Sequence, residues 1–157
     1  MSALVNSTVN LVKAQFENIK IDTDINFDPI INCFPSKLNQ VFMNIVVNAC
    51  QAIEAKAIQI KTLNDDEEFE GAIAINSFEE DNYLVIKISD NGCGMSELTK
   101  QKVCEPFFTT KVVGNGTGLG MAISFGIIEE HDGMLKVTSV LTKGSDFSIY
   151  LPVKNSV

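Results

Sequence analysis

The sequence predicts an α/β fold of the α+β kind, with about five strands and about three helices. Three observations predict it: three segments repeat apolar residues at helical spacing, five shorter runs read as strands, and glycine, proline or acidic clusters separate them. A length of 157 residues suits one domain with one core, so residues 1-157 are read as a single unit.

In the first helical segment Leu4, Val5, Val9, Val12 and Phe16 recur on one side. Ile19, Ile21 and Ile25 then alternate with polar residues as a strand, and residues 30–34 form a second short apolar run that Pro35 stops. Ser36 is the expected N-cap of the strongest helix, about 37–57. In that helix Leu38, Val41, Phe42, Ile45, Ala49, Ala52 and Ile53 share one face, with Asn44, Asn48 and Gln51 stacked along its border. Residues 58–63 suit either the tail of this helix or a strand.

Five acids within residues 65–70 predict a solvated loop. Residues 72–78 and 83–89 predict an antiparallel hairpin turning through 79–82. A third helix, from Gly118 to about His131, carries Leu119, Ile123, Ile127 and Ile128 and is closed by Gly133 as a left-handed cap. Residues 134–140 and 146–151 supply two more strands, joined by the Lys143-Gly144 turn.

A net charge of −8 and a pI near 4.6 argue against a nucleic-acid or anionic-membrane partner, which needs a clustered basic surface. All 12 basic residues are lysines, so no guanidinium fork is available to grip phosphate. Cys33, Cys50, Cys93 and Cys104 contain no C-x-x-C pair, and with His131 they make no zinc set. A reduced, cytoplasmic setting follows. There is no signal-peptide pattern and no run of ~18 uninterrupted apolar residues, so no direct membrane contact is expected from this segment; a parent protein could still be membrane-anchored.

Two glycine-bearing blocks carry the chemistry: Asp90-Asn91-Gly92-Cys93-Gly94-Met95, and Gly114-Asn115-Gly116-Thr117-Gly118-Leu119-Gly120-Met121. Asp90 ends a strand, where a carboxylate in an apolar pocket can accept a hydrogen bond from the exocyclic amine of adenine; guanine would present an oxygen there and be repelled. Gly92 and Gly94 let the backbone approach a flat base, although D-x-G-x-G alone is equally a turn. The second block leads into a helix whose first amides and dipole suit phosphate oxygens, and its glycines suit a lid. Asn48 offers a neutral oxygen fit for Mg²⁺, which keeps several waters and bridges phosphates; Asn44 can orient a water or assist the same metal. ATP with Mg²⁺ is the expected ligand pair.

In this order, the asparagine helix, D-N-G-C-G-M, E-P-F-F-T-T-K (residues 105–111) and G-N-G-T-G-L-G closely resemble the N, G1, F and G2 boxes of sensor histidine kinases, over about residues 11–152. The pattern is most similar to nitrogen-regulator-type kinases, within the superfamily of gyrase B subunits, heat-shock chaperones and MutL. The resemblance implies a two-layer sandwich, with a mixed, mostly antiparallel sheet packed against the helices. It makes Asn48 the Mg²⁺ ligand and Asn44 its companion, both catalytic. Asp90 becomes the adenine-amine acceptor, with Gly92 and Gly94 beside the base. Phe107 and Phe108 match lid-packing aromatics, and Lys111 is a candidate phosphate contact. Gly114, Gly116, Thr117, Gly118, Leu119 and Gly120 fall in the phosphate loop, and Ser145 stands where relatives place a hydroxyl near the base.

The implied activity is transfer of the ATP γ-phosphoryl to a histidine on a separate dimerisation helix, for relay to a response regulator. His131, the single histidine, stands at a helix end and is expected to be structural or solvent-facing rather than the acceptor. The acceptor domain is therefore read as absent from this chain. Hydrolytic members of the superfamily carry a glutamate base where Asn44 stands, and an amide cannot take a proton from water at neutral pH. A nucleotide-binding regulatory module and a gyrase-like ATPase switch are the competing expectations.

Overall fold

The computed structural model describes residues 1–103, 105 and 118–153. The elements run α1 (Ser2–Gln15), β1 (Ile19–Ile25), α2 (Pro35–Leu63), β2 (Gly71–Glu80), β3 (Tyr83–Asp90), α3 (Glu97–Lys102), α4 (Gly120–Glu130), β4 (Met134–Val140) and β5 (Gly144–Pro152). One sheet holds all five strands in the order β1-β2-β3-β5-β4. The β1–β2 pair is parallel, because α2 makes the crossover between them, and the other three pairs are antiparallel. This is the expected mixed sandwich, with four helices among the described residues instead of about three.

Strand alternation explains the layering. Ile19 and Ile21, Ile73 and Ile75, Ile86 and Ile88, and Phe147, Ile149 and Leu151 are buried on the sheet face beneath the helices. They meet the stripe Leu38, Val41, Phe42, Ile45, Ala49 and Ile53 of α2, which lies between α1 and α4. By length and mean hydropathy α2 could cross a bilayer; here eight of its residues are buried in a protein core. Residues 58–63 prove to be its tail.

Three local expectations are corrected. Ser36 is not the N-cap of α2. Phe34, in extended conformation, holds that place; Pro35 fits the first helical position, and Leu38 N–H closes the turn on the Phe34 carbonyl. The left-handed residue ending α4 is Asp132 (φ 55°), not Gly133. Asp132 N–H donates to Glu129 O and Gly133 N–H to Ile128 O, the Schellman pair, while Gly133 passes beside the Tyr150 carbonyl. The third helix starts at Gly120, two residues later than expected. The apolar run 30–34 joins no ladder and leaves Ile30 exposed.

Helix α3 was not anticipated. Its signal lies in Ser96-Glu97-Leu98-Thr99: Ser96 Oγ accepts the Thr99 N–H at 3.2 Å, with Glu97 in the first turn and Lys100 and Lys102 in the last. The β2–β3 hairpin turns through Asp81 and Asn82, both at positive φ, so the strands run closer to the turn than expected.

Candidate functional site

Helix α2 sets one wall of the site. Asn44 and Asn48 lie one turn apart on its half-buried border. Asn44 Nδ2 donates to the Gly120 carbonyl at 3.1 Å and to Ser124 Oγ at 3.2 Å, while Ser124 Oγ itself donates to the Gly120 carbonyl at 2.8 Å. The asparagine helix is thus tied to the first turn of the helix entered by the second glycine block. Ser124, fully buried, completes this triangle. Its sequence signal was a lone hydroxyl within the apolar stretch Met121–Ile128.

The other wall is the end of β3. Asp90 is in register with Ile73 on β2 and Ser145 on β5. Its Oδ1 accepts the Gly92 N–H at 2.8 Å. Burial pushes the Asp90 carboxyl up to about 6, against the lowering effect of the Gly92 and Ser145 backbone N–H groups; Asp146 raises it further and Lys56 lowers it. A carboxylate held there, partly buried, is an acceptor with a strong incentive to find a donor.

The glycines of the D-N-G-C-G block dock this loop onto its surroundings. A Cβ on Gly92 would lie 2.8 Å from Ala52 of α2, and Cys93 N–H donates to the Ala52 carbonyl at 3.2 Å. Gly94 has φ +64°, and a Cβ there would fall 2.1 Å from the Val140 carbonyl oxygen. The nearest neighbours of both are therefore protein atoms, a packing reason that stands beside the expected approach to a base. A position that sequence reasoning treated only as a turn is more constrained: Gly144 has φ +128°, and a Cβ would lie 1.9 Å from the Asp90 carbonyl oxygen.

Beside Asp90 opens a cleft of about 300 Å³, lined also by Lys100, Ser139, Lys143, Gly144 and Ser145. Ser139, unmarked by any motif, organises one side. Its Oγ accepts the Met95 N–H at 2.8 Å, donates to the Gly144 carbonyl at 3.0 Å, and lies 2.8 Å from Ser145 Oγ. Since the Ser139 proton goes to Gly144, Ser145 donates in the pair, which leaves the Ser145 oxygen as an acceptor.

Asn44, Gly118, Leu119 and Gly120 thus gather where α2 meets α4, Asn48 stands one turn further along α2, and Asp90, Gly92, Gly94 and Ser145 gather at the strand ends. Leu119 is the N-cap of α4. Phe107, Phe108, Lys111, Gly114, Gly116 and Thr117 lie outside the described residues. Among the described residues no group of three or more His, Cys, Asp and Glu is placed to hold a metal. A single amide oxygen nevertheless fits Mg²⁺, which takes few protein ligands when phosphates supply the rest.

Residues 34–155 match the family described as histidine kinase-, DNA gyrase B-, and HSP90-like ATPase. The chain belongs to this ATPase family. Curated relatives of the chain include kinases. The chain is 36% identical over 162 residues to sporulation kinase E of Bacillus subtilis (strain 168), covering 99% of this chain and 20% of that protein. It is 36% identical over 158 residues to the signal transduction histidine-protein kinase AtoS of Escherichia coli (strain K12), covering 98% and 23%. The chain thus spans about a fifth of the length of these two kinases. Among solved structures, the catalytic domain of histidine kinase ThkA in a nucleotide-free form superposes with a TM-score of 0.76 at 27% identity, covering 97% of this chain and 91% of that one. This member of the ATPase family is accordingly of the ATP-binding catalytic type found in sensor histidine kinases.

Proposed function

We propose that this domain holds ATP between Asp90 and the start of α4 and donates its γ-phosphoryl to a histidine on a separate dimerisation helix, for relay to a response regulator. The observation that carries the proposal is the docking of the Asp90 loop on α2. Gly92 and Cys93 rest on Ala52, one turn beyond Asn48, so the base-reading carboxylate and the asparagine edge belong to one site.

In this reading the Asp90 carboxylate accepts the adenine exocyclic amine, and Ser145 presents its hydroxyl oxygen nearby. Asn48 would hold Mg²⁺ through its amide oxygen, and the metal, when bound, neutralises charge on the phosphates. The Gly118–Gly120 backbone at the mouth of α4 receives phosphate oxygens, with the 107–117 segment supplying the aromatic, lysine and glycine contacts named above. The subclass, nitrogen-regulator-type, is part of the proposal and is supported by the motif resemblance. A cytoplasmic location for the domain is part of it too, supported by the reduced-cysteine composition.

One feature favours transfer over hydrolysis, and a second favours an acceptor outside this chain. Residue 44 is an amide whose nitrogen is already donated to Gly120, so it offers no base for water. His131 is no candidate acceptor, because its Nδ1 donates to the Ile127 carbonyl at 2.7 Å and its Nε2 accepts the Phe34 N–H at 3.0 Å in a buried setting.

The test mixes the domain with a purified histidine-bearing dimerisation domain and γ-labelled ATP. Label should reach the acceptor only with Mg²⁺ present, and Asn48→Ala should reduce transfer far more than nucleotide binding. Tight ATP binding without transfer to any acceptor would favour the regulatory-module alternative, and steady phosphate release by the domain alone would favour the ATPase switch.

A further inference from the structure

Lys56 lies on α2 two turns beyond Asn48, outside every motif of the site. Its Nζ donates to the Asn91 carbonyl at 2.9 Å and sits 4.9 Å from the centre of the Phe69 ring. Asn91, the residue after Asp90, is held at its other groups as well. Its Oδ1 accepts the Ala72 N–H and its Nδ2 donates to the Glu70 carbonyl, each at 2.9 Å, and its own N–H reaches the Ala72 carbonyl at 3.3 Å. Asn91, the residue following Asp90, is therefore clamped by the β2 end on one side and by an ammonium on the other.

We propose that Lys56 is a positioning residue for nucleotide recognition: its ammonium, fixed between the Phe69 ring and the Asn91 carbonyl, holds the segment bearing Asp90 and supplies the positive charge under which that carboxylate receives the base amine. The inference rests on the proposed role of Asp90.

The charges around Asp90 make Lys56 count. Asp146 on β5 opposes ionisation, although Lys87 engages it at 2.8 Å. Cys50 on α2 and Cys93 in the loop are both held protonated, chiefly by their own burial. Glu54 acts on Cys50. Lys100 and Lys143 line the cleft, but Lys100 pairs with Glu97. Among the described residues, Lys56 is the cation whose field acts on both Asp90 and Cys93. Removing its charge lets Asp90 take up a proton at higher pH, and a protonated carboxyl is a poorer acceptor for an amine.

The test measures ATP affinity by calorimetry from about pH 6 to about pH 8.5 for the wild type, Lys56→Met, Lys56→Gln, Lys56→Arg and Asp90→Asn, each checked for folding by circular dichroism. Comparing each variant with the wild type at the same pH cancels titration of the nucleotide itself. Lys56→Met and Lys56→Gln should show a larger fold-loss in affinity near about pH 6.5 than at about pH 8.5, with Lys56→Arg close to wild type. An equal loss at every pH, or no loss at any, overturns the proposal. Should Asp90→Asn bind ATP as the wild type does, the base-recognition reading itself fails, whatever Lys56 shows.

Discussion

The amide nitrogen of Asn44 on α2 lies 3.1 Å from the carbonyl oxygen of Gly120 on α4, and Ser124 Oγ bridges the same pair. This contact joins the asparagine edge to the mouth of α4, so any motion of that mouth must break or carry it. An aspartate at 44 could not donate to the carbonyl and would set negative charge against it. Asn44→Asp should destabilise the domain by ~1–3 kcal/mol in urea unfolding, with an unchanged slope. A wild-type midpoint would show that the triangle contributes nothing.

Asp90 gives the site a pH signature. Because burial raises its folded-state value from 3.8 to about 6, the folded protein binds a proton there that the unfolded chain has released between these two values. Stability attributable to this group therefore falls as pH rises through the window, and is lowest above about 6. Under the proposed role of Asp90, ATP affinity should run the other way, rising as the carboxylate ionises. Asp90→Asn should flatten the stability contribution, and Asp90→Ala should weaken ATP binding by ~1.5–3 kcal/mol with the fold intact. Calorimetric titration and urea unfolding across this pH range check both signs.

Gly144 stands at φ +128° against the Asp90 carbonyl. Gly144→Ala should cost at least ~1–3 kcal/mol from backbone strain alone, and should weaken ATP binding by displacing the end of β3. Unfolding midpoints and nucleotide affinity measured on the same variant would show whether the two losses travel together; a neutral substitution would contradict the geometry.

His131 links the end of α4 to the start of α2 through Phe34. His131→Phe fills similar space but leaves the Phe34 N–H without its acceptor, at ~1–3 kcal/mol. Phosphoryl transfer to an external acceptor should persist in this variant. Loss of transfer from a fully folded His131→Phe protein would reopen the possibility that this ring takes the phosphoryl.

The sequence made the frame legible where one periodicity ruled. The stripe Leu38 to Ile53 and the paired runs 72–78 and 83–89 reach the structure nearly as expected, because burial of one face fixes both helix rotation and strand register. Helix ends were read less well. Ser36 has a good capping side chain, yet Pro35 fixes the backbone one residue earlier; Gly133 looked like a left-handed cap, yet Asp132 takes that conformation and leaves Gly133 for close packing. Within the site, motif residues pointed to the strand end and the helix mouth. Their supports, Lys56, Ser124, Ser139 and Gly144, act through contacts 35 or more residues distant, four residues along a helix, or across a hairpin, and no motif of the site marks these roles. Helix α3 is six residues long, too short for periodicity to show.

The central claim is that one carboxylate reads the base while the α2 edge and the α4 mouth hold the phosphates. A crystal structure of the domain with a non-hydrolysable ATP analogue and Mg²⁺ tests it directly. The account predicts the exocyclic amine within about 3 Å of an Asp90 oxygen, the metal on Asn48 Oδ1 and the phosphates at residues 118–120. A nucleotide seated elsewhere, or one whose base turns another edge to Asp90, would contradict it.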